Sequence, residues 1–260
     1  MKLAILYICT GKYHIFFKDF YESCERYFLP EAEKTYFVFS DHKELAEIDK
    51  VHFIYKECEG FPKDSLFRFR TFLIAEKELE KYDYIFFFNS NMQFVALVDE
   101  TILPSEEDGY LCCLNADYNS VYPHPCFYPY ERRKQSKAYV PRGEKEYRYY
   151  HAGVNGGRAK EYLEMCRALK DNIEQDYKNG IVALYHDESH VNKFFSDHPC
   201  LSLHSEYGMA EGAKNQKSAK IIIVDKTKYD SYFNKGRSSS IWGMVKKSLW
   251  MIKHIIRWYL

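Results

Sequence analysis

The sequence has no excess charge of either sign. Its 260 residues include 37 lysines and arginines and 37 aspartates and glutamates, and it contains no internal repeat or low-complexity tract. A protein that attracts nucleic acid through its overall field carries a surplus of basic residues, so we expect no nucleic-acid partner. With 46% hydrophobic residues, the chain is long enough for one large α/β domain or two small ones.

The eight cysteines lack the spacing of a metal site or a redox pair. None forms a C-x-x-C pair, and no pattern resembles a metal finger. Scattered cysteines of this kind are typical of free thiols in a reducing compartment, and we predict a cytoplasmic protein. A short apolar run follows the first lysine, but Lys12 interrupts it and no small-residue cleavage site follows. A first strand is therefore favoured over a signal peptide.

Apolar runs alternate with helical periodicity, which predicts an α/β fold. Strands are predicted over Leu3–Cys9, Tyr36–Phe39, Val51–Tyr55, Tyr84–Phe88 and Tyr149–Val154. Helices are predicted over Tyr13–Phe28, from Asp64 or Ser65 as a cap to about Tyr82, over Ala159–Tyr177 and over Glu188–Phe195, with a loop rich in Pro and Tyr after Gly109. This order implies parallel strands whose ligands lie beyond their carboxyl ends, where Gly11 and Asn89 are placed.

The stretch FFFNSN ends a buried strand in neutral side chains. Asn89, Ser90 and Asn91 stand at a strand end, where an enzyme would be expected to place two carboxylates. Hard divalent cations prefer anionic oxygens. The sequence therefore predicts a metal held weakly at best, and we expect no metal and no other cofactor.

Three further motifs carry candidate functional groups, and each has a structural alternative. HDESH contains Asp187 and Glu188, but Asp187 or Ser189 could also cap a helix. HAGVNGG places three glycines in a predicted turn that would allow a ligand to approach the backbone, although glycine turns are common in loops. SLFRFRT holds Arg68 and Arg70, which could bind phosphate or form a solvated, ion-paired face.

These motifs together resemble glycosyltransferase family 6, the family of the histo-blood-group A and B transferases and of α1,3-galactosyltransferase. The blocks that carry the resemblance are ICTGKY, SLFRFRT, HPCFY, PYERR, SKAYVP, YYHAGVNGG and HDESHVNKFF, in the family's order. The short chain, without a stem or amino-terminal anchor, is similar to bacterial members. The resemblance implies a single-domain GT-A type fold, Rossmann-like with a mixed sheet, over 1–237, with a UDP-binding part at 1–91 and an acceptor and catalytic part at 92–237.

The resemblance also implies which residues bind the UDP-sugar donor. Tyr13 would stack on uracil, with Ile8 and Cys9 nearby, Arg68 would compensate the charge of the diphosphate, and Asp187 would hold sugar hydroxyls. The remaining implied donor-binding residues are Arg70, Asn89, Ser90, Asn91, His151, Ala152 and Gly153, with Lys193, Lys228, Lys235 and Arg237 as weaker candidates. Animal members carry Asp-x-Asp and manganese at 89–91, whereas bacterial relatives with Asn-x-Asn are described as metal-independent.

The implied reaction is a retaining α1,3 transfer. Glu188 occupies the position of the family's candidate nucleophile, and it would act as nucleophile or stabilise the oxocarbenium-like state while also contacting the acceptor. His124 and Phe127 fall where the family binds a galactoside, which we expect to be fucosylated. Gly153 favours UDP-N-acetylgalactosamine, because glycine leaves room for an acetamido group, whereas His151 matches galactosyl-type members.

Two alternatives stay open for the function. One is galactosyl transfer from UDP-galactose to an unfucosylated galactoside. The other is a carbohydrate-binding protein that has lost catalysis, with Asn89 and Asn91 as the lesions. The intact pair of Asp187 and Glu188 disfavours the second, and a glycoside hydrolase would leave Arg68 without a phosphate to bind.

A basic tail follows the catalytic part at 238–260. From Ile241 to Leu260 it has four lysines and arginines, three tryptophans and no acid. Its charges interrupt it too often for a comfortable membrane span, so we predict a peripheral contact with anionic lipid, at the inner face of the membrane. The alternative is a helix docked on the catalytic domain or on a second subunit.

Overall fold

A seven-stranded mixed sheet organises the protein in the computed structural model, which describes residues 1–143, 145–234 and 241–260 and the side chains of 1–143, 145–233 and 248–260. The strand order is β3-β2-β1-β4-β7-β6-β8. The strands are β1 (Lys2–Ile8), β2 (Glu33–Ser40), β3 (Val51–Tyr55), β4 (Tyr84–Phe88), β6 (Tyr110–Leu114), β7 (Tyr150–Arg158) and β8 (Leu201–Leu203). A second, three-stranded sheet contains β5 (Met92–Phe94), β9 (Met209–Ala210) and β10 (Ile221–Ile223).

Helices cover both faces of the large sheet. The α-helices of the described residues are α1 (Phe17–Tyr27), α2 (Lys63–Leu66), α3 (Arg68–Phe72), α4 (Glu76–Leu79), α5 (Ala159–Lys178), α6 (His186–Asp197) and α7 (Ile241–Tyr259), the last of which packs away from the sheet. Side chains of β4 alternate between two cores: Phe86 and Phe88 pack on the side of α1, and Ile85 and Phe87 on the side of α3 and α5. A strand that is apolar on both sides belongs in the middle of a covered sheet, and the predicted mixed α/β fold is confirmed.

The sheet is parallel from β3 through β4 and antiparallel where β7 joins it. The antiparallel pairing places the first residues of β7 beside the carboxyl end of β4, with Val154 opposite Phe88. Strands from both predicted parts of the chain thus form one sheet. The carboxyl ends of β1 and β4 and the start of β7 consequently form one edge.

HAGVNGG lies within β7, so the predicted glycine turn is wrong. A Cβ atom at Gly156 would lie 2.7 Å from the carbonyl oxygen of Ile85, and one at Gly157 would lie 2.7 Å from that of Gly109. Both glycines therefore serve close strand packing. The loop predicted after Gly109 is also wrong at its start, because β6 occupies Tyr110–Leu114.

The helix predicted from Asp64 or Ser65 to about Tyr82 is broken into short pieces. Lys63–Leu66, Arg68–Phe72 and Glu76–Leu79 are α-helical, and Leu73–Ala75 is a 3₁₀ turn. Asp64 does not cap the first piece. Its carboxylate instead accepts hydrogen bonds from the Thr10 hydroxyl and from the amide of Gly60, and it pairs with Lys56.

The α7 helix packs against the body of the protein through His254 and Trp258. The His254 ring contacts the carbonyl oxygen of Tyr128 at 2.9 Å, and Trp258 packs at 5.0 Å from the ring of Tyr147. One face of α7 is therefore docked on the rest of the protein, as the alternative to a membrane contact predicted. Among the described residues, no helix is long and apolar enough to cross a membrane.

Candidate active site

Arg68 and Asp187 form a buried ion pair at the edge where β1, β4 and β7 meet. The Nε atom of Arg68 lies 3.0 Å from Oδ2 of Asp187, and their side chains are 8% and 5% exposed. Arg68 belongs to α3, whereas Asp187 lies in the first turn of α6. Two predicted site residues, 119 positions apart in sequence, are therefore brought into direct contact.

The guanidinium of Arg68 also connects the two strands of this edge. Its Nη1 atom donates to Oδ1 of Asn89 and to the carbonyl oxygen of Ala152, each at 3.3 Å, and the group lies 4.6 Å above the ring of Phe87. An arginine held at several points is pre-organised for a planar, anionic partner. Arg68, Asn89, Ala152 and Asp187 form one connected polar cluster.

Glu188 is held by one side chain and one backbone group. The Tyr149 hydroxyl donates to Oε1 at 2.8 Å, and the amide of Ala152 donates to Oε2 at 3.1 Å. Removal of water from around the carboxylate raises the pKa of Glu188 to about 7, although both hydrogen bonds oppose the rise. The side chain is still partly exposed, so a ligand can reach it.

Asp187 keeps an oxygen that accepts no hydrogen bond. Its Oδ2 atom is buried without a hydrogen-bond partner among the described residues, because the nearby Nε of Arg68 donates to the carbonyl of Ser65 at 3.2 Å instead. Burial raises the pKa of this carboxyl, and the charge of Arg68 works against that rise. Such an oxygen can accept from a hydroxyl group that enters the site.

A strained residue begins the helix that carries both carboxylates. His186 has φ of 50°, in the left-handed region, which costs a non-glycine residue about 1 kcal/mol. Ser189 stabilises this turn, since its hydroxyl accepts from the amide of Tyr185 at 2.9 Å. Neither Asp187 nor Ser189 is the N-cap residue of this helix, as the structural alternative predicted. Asp187 pairs with Arg68, and Ser189 lies within the helix and accepts from the amide of Tyr185, which precedes it.

Two asparagines that the sequence analysis missed fix the geometry of this edge. Asn192, on α6, exchanges hydrogen bonds with the amide and carbonyl of Tyr150 at 2.9 and 2.8 Å. Asn155, on β7, donates to the carbonyl of Ala152 at 2.8 Å and accepts from Tyr162. Both are essentially fully buried. The sequence motifs alone did not indicate that these two polar residues are buried.

Asn89, Ser90 and Asn91 point to different partners. The amide of Asn89 donates to the carbonyl of Gly153, while the Ser90 carbonyl accepts from the hydroxyl of Tyr7. The side chain of Asn91 donates to the carbonyl of Val224 at 3.0 Å, tying this turn to the strand β10 segment. Only Asn89 of the three contacts Arg68.

This arrangement does not suit a divalent cation. The amide oxygen of Asn89, which would be a ligand, already accepts from the guanidinium of Arg68. A dication at that oxygen would lie against an existing positive charge with no carboxylate of 89–91 to offset it. In the described part of the chain, no three His, Cys, Asp or Glu side chains are grouped as a metal would require.

Tyr13 lies under the carboxyl-terminal segment. The ring of Phe233 packs against it at 5.1 Å, and Nζ of Lys226 lies 3.0 Å from its hydroxyl. Lys226 is a basic residue that the sequence analysis did not select. Ile8 and Cys9 lie at the end of β1 nearby, but the Cys9 side chain is buried in the core.

Several predicted basic residues lie outside this cluster. Arg70 pairs with Glu59 at 3.7 Å and covers the ring of Phe67. It points away from the side chain of Arg68, because residues two apart on a helix face nearly opposite directions. Lys193 pairs with Asp197, and Lys228 with Glu211, each at 2.6 Å. Lys235 and Arg237 lie outside the described residues.

His151 and Gly153 both lie beside Asn89. The Nδ1 atom of His151 accepts from the amide of Gly153 at 3.1 Å, and burial lowers the pKa of this imidazole to about 4. A Cβ atom at Gly153 would lie 2.8 Å from Nδ2 of Asn89 and 2.9 Å from Cε of Met92. The missing side chain at 153 therefore leaves room for Asn89.

His124 and Phe127 lie on an exposed loop with aromatic neighbours. Phe127 packs against Tyr122 at 5.8 Å and His124 at 6.4 Å between ring centroids. The same cluster includes Tyr149, the partner of Glu188. Packed aromatic rings thus connect the loop to the carboxylate of Glu188.

Comparison with known proteins identifies the family. The model of glycosyltransferase family 6 matches residues 2–234. The chain is 33% identical over 237 residues to the O-antigen biosynthesis glycosyltransferase WbnI of Escherichia coli, covering 90% of this chain and 99% of that protein. It is 30% identical over 220 residues to globoside alpha-1,3-N-acetylgalactosaminyltransferase 1 of Gallus gallus, covering 80% and 61% respectively.

An animal blood-group transferase is also similar. Histo-blood group ABO system transferase 1 of Rattus norvegicus is 29% identical over 214 residues, which covers 79% of this chain and 60% of that protein. The chain therefore spans nearly the whole bacterial relative and about three fifths of these two animal relatives. The resemblance carried by the motifs is confirmed, and a glycosyltransferase implies a nucleotide-sugar donor and a glycan acceptor. The chain belongs to glycosyltransferase family 6.

Proposed function

We propose that the protein is a retaining, metal-independent α1,3-N-acetylgalactosaminyltransferase that moves N-acetylgalactosamine from UDP to a fucosylated β-galactoside. The observation that carries this proposal is the placement of Glu188 beside the Arg68–Asp187 pair, with both of its oxygens held. The printed name of the Gallus gallus relative, an alpha-1,3-N-acetylgalactosaminyltransferase, supports the linkage and the sugar.

Arg68 is proposed to stabilise the departing UDP. The leaving diphosphate gains negative charge as the bond to the sugar breaks, and a guanidinium in a site that excludes water stabilises that charge strongly. Its contact with Asn89 supports this role, because the resemblance implies a bound cation beside 89–91 in metal-dependent members. The incompatibility of this cluster with a dication supports transfer without metal.

Glu188 and Asp187 are proposed to act on the sugar. Glu188 in its ionised form serves as nucleophile or stabilises the oxocarbenium-like state. The Oδ2 atom of Asp187, which is ion-paired but accepts no hydrogen bond among the described residues, accepts from a donor hydroxyl. Asp187 thereby orients the sugar while Glu188 faces the anomeric carbon.

The donor preference is proposed to depend on the space beside Asn89. Gly153 lets Asn89 lie against β7, and a larger residue at 153 would displace this amide. Glycine thus supports N-acetylgalactosamine, while His151 keeps UDP-galactose as the second candidate. A pocket that differs by one methyl group discriminates by about 1 to 3 kcal/mol, so some transfer from UDP-galactose is expected.

The first prediction concerns the metal. Purified protein, treated with UDP-N-acetylgalactosamine and 2'-fucosyllactose, should form the same α1,3-linked product at the same rate with excess chelator and with manganese. Mass and linkage analysis identifies the product, and UDP-galactose and lactose complete the donor and acceptor panels. Activity that needs manganese would overturn the metal-free mechanism. Donor binding without transfer in any tube would favour the carbohydrate-binding alternative.

A pair of arginine variants provides the control for this experiment. Arg68→Lys keeps the charge but loses the planar fork, so kcat should fall roughly 10- to 100-fold. Arg70→Lys changes the same residue type two positions away, at a side chain paired with Glu59, and it should stay within about 2-fold of the parent protein. Equal losses in both variants would contradict the role of Arg68.

A further inference from the structure

The α7 helix has one face fixed against the protein. His254 and Trp258 are 6% exposed, and Trp258 packs among Tyr130 and Tyr147. The guanidinium of Arg132 lies 4.2 Å from the Trp258 ring. Because these contacts fix the rotation of the helix, the opposite face is held toward solvent.

That outer face presents an apolar stripe. Leu249, Ile252, Ile256 and Leu260 are 61%, 54%, 50% and 92% exposed. Their spacing of three, four and four residues places them on one side of a helix. Large aliphatic side chains exposed in a continuous row mark an interaction surface.

Positive charge accompanies the stripe. From Ile241 to Leu260 the sequence has lysines or arginines at four positions and no aspartate or glutamate, although the chain as a whole has no net charge. Lys253 and Arg257 are exposed beside the stripe. An apolar row flanked by cations is the pattern of a helix that lies in the interface of an anionic membrane.

A cationic cavity of about 190 Å³ adjoins the end of α7. Arg132, Lys134, Arg142 and Arg257 line it together with Trp258, Tyr259 and Leu260, and no aspartate or glutamate side chain lines it among the described residues. Arg132 contributes two buried donors, Nε and Nη1, that have no hydrogen-bond partner in the described part of the chain. Buried donors of a guanidinium without acceptors favour an anionic ligand with several oxygens.

We propose that α7 binds the surface of a bilayer containing anionic phospholipids, with the stripe in the boundary between headgroups and acyl chains and a headgroup phosphate at the Arg132 cavity. A second copy of the chain fits less well, because a symmetric contact through the stripe would place Lys253 and Arg257 near their own counterparts, with no acid on the helix to pair with them. This inference does not depend on the sugar or the acceptor.

Vesicle flotation tests the proposal. The full-length protein should float with vesicles of phosphatidylcholine mixed with phosphatidylglycerol and stay in solution with phosphatidylcholine alone. The triple variant Leu249→Ser, Ile252→Ser and Ile256→Ser should bind the mixed vesicles at least roughly tenfold more weakly. The variant Lys134→Ser with Arg142→Ser should lose a similar factor, since each basic residue near an anionic surface contributes.

Matched controls separate these effects from general changes of the surface. Ile74→Ser, Val95→Ser and Leu97→Ser remove three exposed apolar side chains elsewhere, and Lys18→Ser with Arg26→Ser removes one exposed lysine and one exposed arginine. Both control variants should bind vesicles like the parent protein. Circular dichroism and the melting temperature establish that all variants are folded.

Four results of the vesicle and sedimentation experiments would overturn the proposal. They are equal binding to neutral vesicles, no loss of binding in the stripe variant, an equal loss in the controls, and sedimentation as a dimer that only the stripe variant abolishes. A further contradicting result would be binding of inorganic phosphate at the Arg132 cavity by a protein that binds no vesicles. It would assign the cavity to free phosphate.

Discussion

At the residue scale, Glu188 combines two properties that a catalytic carboxylate needs. It is held in one orientation by Tyr149 and by the amide of Ala152, and its pKa is raised to about 7 by the loss of water around it. A carboxylate with weak solvation is more reactive than one in water, but it must be ionised to act as nucleophile or stabiliser.

The pH dependence of transfer should report this group. Below pH 7 the fraction of ionised Glu188 falls about tenfold per unit, so kcat/KM, which reports the free enzyme, should fall with an apparent pKa near 7 instead of the usual 4.5. Tyr149→Phe removes a hydrogen bond that lowers the pKa of Glu188, and the acid limb of the profile should move to higher pH. An acid limb near 5, or one that does not move in Tyr149→Phe, would contradict this assignment.

The same group links catalysis to stability. A carboxyl whose pKa is higher in the folded than in the unfolded protein binds more protons when folded, so the free energy of unfolding falls as pH rises from about 4.5 to about 7. In Glu188→Gln this part of the pH dependence, about 1 to 3 kcal/mol, should disappear from denaturant titrations. The contribution of Asp187 to the pH dependence of the free energy of unfolding should remain in this variant, because the pKa of Asp187 is also raised.

At the element scale, the sequence predicted the elements with strong periodicity and missed those set by tertiary contacts. The predicted strands Leu3–Cys9 and Tyr84–Phe88 and the predicted helix Ala159–Tyr177 agree with the structure within two residues, because each carries a long, regular apolar pattern. The glycines of β7 were misread as a turn, since only the neighbouring backbones of Ile85 and Gly109 show why side chains are absent there.

Glu131 and Arg133 hold the segment before α6 through contacts that the sequence alone could not reveal; we call this pair the brace. Glu131, 3% exposed, accepts from the amide of Leu184 at 2.9 Å and from the guanidinium of Arg133. Arg133 in turn donates to the carbonyl of Val182 at 2.6 Å. The two residues of PYERR therefore hold the segment that delivers Asp187 and Glu188.

Glu131→Gln should weaken this brace without touching the reacting atoms. We expect a loss of about 2 kcal/mol in the free energy of unfolding, because the buried ionic hydrogen bonds become weaker or unpaired, and a roughly tenfold lower kcat because α6 is less well positioned. The donor KM should change little. Glu146→Gln removes a similar contact to Arg148 at the surface and should leave all three quantities within error. A Glu131 variant indistinguishable from this control would argue against the brace.

At the scale of the whole molecule, the first and last parts of residues 1–234 meet beside the edge where β1 and β4 end. Asn91 and Val224 exchange two hydrogen bonds, and Phe233 and Lys226 pack on Tyr13. The composition of the carboxyl-terminal segment indicated basic residues in general, but only the fold selects Lys226 and pairs Lys228 with Glu211. Long-range contacts of this kind leave no local pattern in the sequence, which explains why the basic candidates could not be ranked.

This junction should influence binding of the donor more than binding of the acceptor. Phe233→Ala removes an aromatic contact of about 0.5 to 1.5 kcal/mol from Tyr13, so the KM for the UDP-sugar should rise roughly 3- to 10-fold. The KM for the acceptor should stay unchanged, since His124 and Phe127 lie in a separate aromatic cluster. Tyr55→Ala removes an exposed aromatic ring elsewhere and serves as the matched control. Steady-state kinetics with each substrate varied in turn makes the distinction. A rise in the acceptor KM alone would contradict the placement of Tyr13 in the donor site, because the contact between Tyr13 and Phe233 would then contribute to binding of the acceptor.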